Sequence, residues 1–111
     1  MHGDPMPVRR LNQPPRASIA VPGSKSVSCR AAVLAAMAPG VSTLMGYLES
    51  DDTVALMESL CALGIDVDLY PDRAVVHGGG AISSGSVGLG HGGTPARFMM
   101  AVASLADGPV T

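Results

Sequence analysis

Hydrophobic residues recur along the chain in two patterns, and the changes between them mark the predicted elements. Residues 16–21 (RASIAV) and 65–70 (IDVDLY) carry apolar side chains at every second position, which is typical of half-buried strands. Two other segments place apolar side chains three or four positions apart, which predicts helices. Further strands are predicted at 42–48, 74–77, 86–90 and from 110 onward, and a third helix after Thr94-Pro95.

Capping residues set the ends of the three predicted helices. A side chain that can accept a backbone hydrogen bond stands at each start, and proline or glycine stands at each end. Gly64, which ends the second helix, is predicted to adopt a left-handed conformation. The predicted N-caps are Ser24 or Ser26, Ser50 or Asp51, and Thr94, with Pro95 at the first helical position. The apolar stripes are Ala31, Leu34, Ala35 and Ala38 in the first helix and Val54, Met57, Leu60 and Cys61 in the second.

The predicted order, β-α-β-α-β-β-β-α-β, favours an α/β (α+β) fold in which helices cover a sheet. Twice a strand passes through a glycine-rich turn, GSKSVSCR or GHGGTPAR, into a helix with an arginine near its start. The free N–H groups and positive dipole of a helix start suit an anion. Lys25 adds a point charge, and Arg30 adds a fork that can grip phosphate or carboxylate at two points. Alternatively, the serines only cap the helix and both cations are solvated.

Other motifs are weaker evidence for a functional site. GSKS lacks the earlier glycine of a P-loop, and HGGG at 77–80 lacks the G-x-S-x-G partner of a hydrolase. GLGHGG at 88–93 fits a dinucleotide-binding pattern, but the chain has 14 glycines. The histidines show no ligand spacing, so no metal site is predicted. Asp51 and Asp52 are interpreted as helix-capping residues rather than an acid–base pair.

Composition narrows the possible functions. Charged residues make up 14% of the 111 residues, well below the roughly 25% of typical soluble domains, so we expect further protein to cover much of the surface. A net charge of −2 with few clustered cations argues against nucleic acid and anionic membranes. No apolar run reaches the ~18 residues of a membrane span. Two cysteines without a CxxC motif favour unpaired thiols in a reducing, cytoplasmic environment.

Three stretches together resemble one enzyme family. PGSKSVSCR, LESDDTVALMESLCALGIDVD and LGHGGTPARF resemble, in order and spacing, the N-terminal portion of 5-enolpyruvylshikimate-3-phosphate synthases (3-phosphoshikimate 1-carboxyvinyltransferases). The resemblance extends from about Pro7 to Thr111, and PGSKS distinguishes this family from the related UDP-N-acetylglucosamine enolpyruvyl transferases. It implies transfer of the enolpyruvyl group of phosphoenolpyruvate to the 5-hydroxyl of shikimate 3-phosphate, in aromatic amino-acid biosynthesis, with no metal or organic cofactor.

The resemblance also implies a two-domain enolpyruvyl transferase fold built from βαβαββ units. By this resemblance, residues 17–23 would be a strand of the other domain and 24–111 an incomplete N-terminal domain. Residues 1–16 are polar and contain four prolines, which predicts a poorly ordered lead-in. Because the family's main acid–base residues follow Thr111, we expect this chain to hold part of a site, to be inactive alone, and to need the remainder of the enzyme or a companion chain. The alternative is a non-catalytic anion-binding or partner-completing module.

The same resemblance assigns roles to residues of both turns. Lys25 is expected to contact phosphoenolpyruvate and to take part in catalysis. Ser26 and Arg30 are expected to hold shikimate 3-phosphate. Gly93 and Thr94 correspond to a glycine and a threonine beside the phosphoenolpyruvate pocket, where glyphosate also binds in this family. The missing side chain at Gly93 would leave room for a ligand.

Two further residues are candidates, and several positions depart from the family pattern. His91 replaces an asparagine of the second turn, and Arg97 matches an arginine whose role we interpret as mainly local. Where the family usually has an amide before the arginine of the first turn, this chain has a thiol, which loses a group that both donates and accepts. The positions that depart from the commonest family sequence are Cys29, His91, Gly92, Pro95 and Phe98.

Overall fold

Two helices pack on one face of a three-stranded sheet, and a third helix packs on those two, in the computed structural model, which describes residues 3–111. The first two residues of the predicted lead-in lie outside this range. Ala74 and Val76 of the central strand face the helices and are buried, so the core lies between the layers. The elements are α1 (Lys25–Met37), β1 (Gly40–Met45), α2 (Asp51–Ala62), β2 (Asp66–Leu69), β3 (Arg73–Gly78) and α3 (Gly93–Ala103).

The sheet has the order β1-β3-β2, and both strand pairs are antiparallel. The predicted hairpin is confirmed: Asp66 pairs with His77 and Leu69 with Ala74, and the turn lies between β2 and β3. β1 returns along the other edge of β3, with Gly40 opposite Gly78. The hairpin could be predicted because a strictly alternating strand is followed by a Pro-Asp turn.

The first two helices begin where capping chemistry predicts. Ser24 is the N-cap of α1, and its hydroxyl accepts from the amide of Val27 at 3.3 Å. Ser50 is the N-cap of α2 and forms a reciprocal capping box with Thr53. Gly64 follows the end of α2 with φ +96°, as predicted for a left-handed residue.

The predicted start of the third helix is wrong by two residues. α3 begins at Gly93 with Gly92 as its N-cap, and no side chain caps it. Thr94 is therefore inside the helix rather than at its cap. Pro95 is the third helical residue, where its missing N–H is harmless because the first-turn amides have no partner within the helix.

The buried face of α1 also differs from the prediction. Leu34 is 69% exposed and Ala38 is exposed, whereas the buried residues are Ser28, Cys29, Ala32, Ala35 and Ala36. The cause is close packing: a side chain on Gly78 would collide with the carbonyl oxygens of Ala35 and Ala38. Only small residues allow α1 to approach β3 so closely, so the larger Leu34 points away from it.

The stripe of α2 is partly confirmed. Met57 and Leu60 are buried as predicted, and Leu56 is buried beside them. Val54 is only half-buried and Cys61 is exposed, so the buried face is rotated toward Leu56. Cys29 and Cys61 are both free thiols.

Three predicted strands are reduced or missing. Residues 17–23 form no strand and have no sheet partner within residues 3–111, so their pairing with another domain stays a prediction. The strands predicted at 86–90 and from 110 are reduced to one parallel bridge between Gly85 and Val110. Within residues 3–111, no helix combines the length and the apolar character that crossing a membrane requires.

Candidate functional site

The N-termini of all three helices meet at one side chain, Asp52. Its Oδ2 lies 2.8 Å from Nζ of Lys25, which joins the first turns of α1 and α2. Its Oδ1 lies against the N-cap of α3, because a methyl group built on Gly92 would be 2.7 Å from that oxygen. The two glycine-rich turns singled out in the sequence are therefore neighbours in space. Three positive helix ends beside one another create a region suited to an anion.

The first turn is fixed by backbone contacts behind Lys25. A side chain on Gly23 would collide with the carbonyl oxygen of Gly46, so these two chain segments touch. On α1, Ser28 Oγ accepts from the amide of Leu48 at 2.9 Å, and on α2, Thr53 Oγ1 donates to the Leu48 carbonyl at 2.7 Å. One residue of the connecting loop is thus bonded to both helices. This bonding sets the spacing between the start of α1 and the start of α2.

Lys25 is a partly exposed ammonium group with one carboxylate partner. Its side chain is 46% exposed and that of Asp52 is 22% exposed. The hydrogen bond to Asp52, followed by the charge of that carboxylate, raises the pKa of Lys25 above its ordinary value. Lys25 therefore stays protonated at neutral pH and remains open to an anion from the solvent.

Ser26 and Arg30 lie one helical turn apart on α1 and are neighbours on its surface. Ser26 is half-buried and Arg30 is exposed. The Arg30 guanidinium carbon lies 6.0 Å from the centre of the Phe98 ring, at the outer limit of a cation–π contact. Arg30 therefore lies between α1 and α3, with its donors free to face solvent or a ligand.

Cys29 lies one turn after Lys25 and is fully buried. Burial, followed by the charge of Asp52, raises the pKa of this thiol. The position where the family usually has an amide thus holds a neutral, inaccessible side chain. Its replacement changes the packing behind the site and adds no nucleophile to it.

The second turn is tight at one glycine and open at the next. Gly92 is enclosed by Asp52 and by Pro95, whose ring carbons would lie 3.0 Å from an added methyl group. At Gly93 an added methyl group would meet only Nη1 of Arg97, at 3.6 Å. A side chain at 92 would therefore require Asp52 and the Pro95 ring to shift, whereas 93 is open. Thr94 is half-buried beside it and forms no side-chain hydrogen bond within residues 3–111.

His91 is exposed in the turn before α3. It borders a cavity of about 280 Å³ that Asp51, Asp52 and Leu89 also line. In the described part of the chain, no three His, Cys, Asp or Glu side chains form a group able to hold a metal. His91 therefore lies at the edge of a cavity beside the carboxylate that binds Lys25.

The sequence analysis missed the role of Asp52. It interpreted this residue as a capping group because acidic residues in a first turn suit the helix dipole. The ion pair with Lys25 joins residues far apart in the sequence, so no local spacing indicates it. The sequence offers only a weaker indication: Lys25 is the only lysine, and Asp52 is the second residue of the helix after the next strand.

Comparison with known proteins identifies the family. The family model described as EPSP synthase (3-phosphoshikimate 1-carboxyvinyltransferase) matches residues 10–111. The chain belongs to the EPSP synthase family. The recognised resemblance is therefore confirmed, and two turns of the EPSP synthase sequence pattern are the ones that meet at Asp52.

The similar proteins are much longer than this chain. It is 44% identical over 92 residues to the 3-phosphoshikimate 1-carboxyvinyltransferase of Rhizobium leguminosarum, covering 80% of this chain and 22% of that protein. It is 37% identical over 110 residues to the enzyme of the same name from Nostoc, covering 95% of this chain and 26% of that protein. A pentafunctional AROM polypeptide of Schizosaccharomyces japonicus is 45% identical over 89 residues, which cover 76% of this chain and 6% of that polypeptide.

A solved structure has the same fold as this EPSP synthase family member. The EPSP synthase of Acinetobacter baumannii superposes with a TM-score of 0.67 at 28% identity, over 78% of this chain and 21% of that chain. The predicted mixed helix-and-sheet class is thus confirmed as part of the enzyme's fold. The chain spans about a fifth to a quarter of the length of the Rhizobium and Nostoc relatives and of the Acinetobacter baumannii structure, and a smaller part of the AROM polypeptide.

Proposed function

We propose that this chain supplies part of the substrate site of a 3-phosphoshikimate 1-carboxyvinyltransferase. The reaction transfers the enolpyruvyl group of phosphoenolpyruvate to the 5-hydroxyl of shikimate 3-phosphate and releases phosphate. In this proposal the remaining groups of the site, including the main acid and base, come from other segments of the enzyme or from a companion chain. Both substrates are anions, so a cytoplasmic enzyme of this type needs cationic and N–H donors more than an apolar pocket.

The observation that carries the proposal is the meeting of three helix N-termini around Lys25. A first-turn lysine contributes a full positive charge, and the neighbouring helix ends contribute partial charges and free N–H groups. Charge that develops on substrate oxygens during the reaction is stabilised by donors already held in position. Lys25 is therefore the residue we assign to phosphoenolpyruvate and to catalysis.

The other proposed ligand contacts are assigned to residues on the surfaces of α1 and α3. Ser26 and Arg30 lie side by side on α1, which suits two contacts to one shikimate 3-phosphate molecule. Gly93 is open on its outer side, and Thr94 has an uncommitted hydroxyl, so both are available to a ligand beside Lys25. Arg97 approaches Gly93 closely enough to help hold the turn, and His91 borders the same region.

A chimaera tests the proposal. Residues 10–111 would replace the aligned segment of the Rhizobium leguminosarum relative, and phosphate release from phosphoenolpyruvate would be measured with and without shikimate 3-phosphate. We expect release that depends on shikimate 3-phosphate. Lys25→Met should reduce kcat/KM by about 100-fold, the usual loss when one preorganised charge-stabilising group is removed.

Arg73→Met provides the matched control, because Arg73 lies at the start of β3 and contacts Asp72 and Tyr70 instead of the site. A folded chimaera that is inactive, or one that Lys25→Met leaves unchanged, would contradict the proposal. The 111-residue chain alone should release no phosphate. Release by that chain in the presence of shikimate 3-phosphate would overturn the statement that it holds only part of a site.

A further inference from the structure

Asp52 is the one acidic side chain within residues 3–111 that bonds to Lys25, and it also touches the second turn. Its two carboxylate oxygens have different neighbours: Oδ2 bonds to the Lys25 ammonium at 2.8 Å, and Oδ1 packs against Gly92. A carboxylate that only favoured the dipole of its own helix would need neither contact.

We propose that Asp52 is a positioning residue of the phosphoenolpyruvate site, holding the Lys25 ammonium and the Gly92-Gly93 turn at a fixed separation. It does not itself touch a reacting atom. It acts through Lys25, whose flexible four-carbon stem otherwise leaves the ammonium free to move. The inference rests on the proposed function for the identity of the ligand, but its structural part can be tested without one.

The position of Asp52 is itself well defined. It is the second residue of α2 and lies between the two residues of the capping box, Ser50 and Thr53. Thr53 is 1% exposed and donates to the carbonyl of Leu48, whose amide donates to Ser28 of α1. The backbone that carries Asp52 is therefore bonded, through one loop residue, to the helix that carries Lys25. A carboxylate on this backbone can hold the ammonium in one place.

Asp51 provides a matched comparison. It is the preceding residue, has the same charge, and lies in the same first turn of α2. It is exposed and forms no ion pair in the described part of the chain. Asp51→Asn and Asp52→Asn change the net charge and the helix-dipole interaction equally. Any difference between the two variants therefore reports the contacts of Asp52.

The first test is nuclear magnetic resonance of the 111-residue chain. Lys25 is the only lysine, so its side-chain signal can be followed without ambiguity as the pH is raised. Cys29 is the other titrating group beside it, and Cys29→Ser removes that contribution. We expect Asp52→Asn to lower the pKa of Lys25 toward its ordinary value and to shift the Gly92 amide signal. Asp51→Asn should change neither.

The second test is a phosphoenolpyruvate titration of the same samples. Asp52→Asn should bind phosphoenolpyruvate about threefold more weakly than Asp51→Asn, within the range measured for partly exposed ion pairs. If only charge mattered, both variants would bind phosphoenolpyruvate at least as tightly as the wild type does, because each removes one negative charge near an anion. Equal affinities, with equal thermal stability, would overturn the positioning role.

The two proposals can fail separately. If the wild-type chain shows no phosphoenolpyruvate-dependent shift and the chimaera is inactive, the proposed function fails, and the Lys25 titration still decides the role of Asp52. If the chimaera is active but Asp52→Asn and Asp51→Asn have the same effect on the Lys25 and Gly92 signals, the positioning role is wrong and the proposed function stands.

Discussion

The two glycine-rich turns of the candidate site are built by different means. The turn before α1 is held by the packing of Gly23 against Gly46 and by side chains: Ser24 caps the helix, and Ser28 bonds to the neighbouring loop. The turn before α3 has no side-chain cap, and Asp52 of another helix packs against its Gly92. The first turn therefore has both a cap and a backbone contact, whereas the second depends on a residue from another helix.

The largest predicted effect is on the free energy of unfolding when a methyl group is added to a glycine of each turn. Gly23→Ala places a methyl group against the carbonyl oxygen of Gly46, which must move, so we expect a loss of about 2–3 kcal/mol in the free energy of unfolding. Gly93→Ala meets only Nη1 of Arg97 at 3.6 Å and should change stability by less than about 0.5 kcal/mol. Urea denaturation of both variants provides the comparison. Equal losses would contradict the difference between the turns.

The second contrast removes the hydroxyl nearest each helix start. Ser24→Ala deletes the hydrogen bond to the amide of Val27 and should cost about 1 kcal/mol. Thr94→Ala deletes a hydroxyl that caps nothing and should cost less than about 0.5 kcal/mol. The midpoint of urea unfolding measures both. If Thr94→Ala costs as much as Ser24→Ala, the hydroxyl of Thr94 has a structural partner after all.

This difference explains which parts of the molecule the sequence predicts. Where a local group decides the structure, as Ser24, Ser50 and the Pro71-Asp72 turn do, the prediction is confirmed. Where tertiary packing decides, it is wrong: Leu34 points outward because α1 packs closely on Gly78. Thr94 lies inside α3, whose start has no side-chain cap that the sequence could indicate.

The candidate site also has a part that the sequence predicts and a part that it does not. Lys25, Ser26 and Arg30 lie on one helix, so their common location follows from the sequence. The link from Lys25 to Gly92 passes through Asp52, which comes from a different helix and serves both turns. Local patterns carry no information on such a link. The family resemblance identified the turns, but their connection emerges only from the three-dimensional structure.

The smallest predicted effect concerns pH. The pKa of Lys25 is raised, so the folded state holds this proton more tightly than the unfolded state does. The stability contributed by the pair with Asp52 is therefore complete below the ordinary value of 10.5 and is lost as the pH rises through the folded-state pKa. The stability difference between wild type and Lys25→Met should shrink above about pH 10.5. A difference that stays constant from pH 7 to pH 11 would mean that the pair does not form in solution.

The most direct test of the central claim is to map phosphoenolpyruvate binding on the amide signals of the whole chain. The account predicts that the signals of residues 24–26 and 92–94 shift together with one dissociation constant, and that Lys25→Met abolishes both sets of shifts. Shifts in only one turn, or shifts centred on Arg9 and Arg10, would show that the two turns do not form a common anion site.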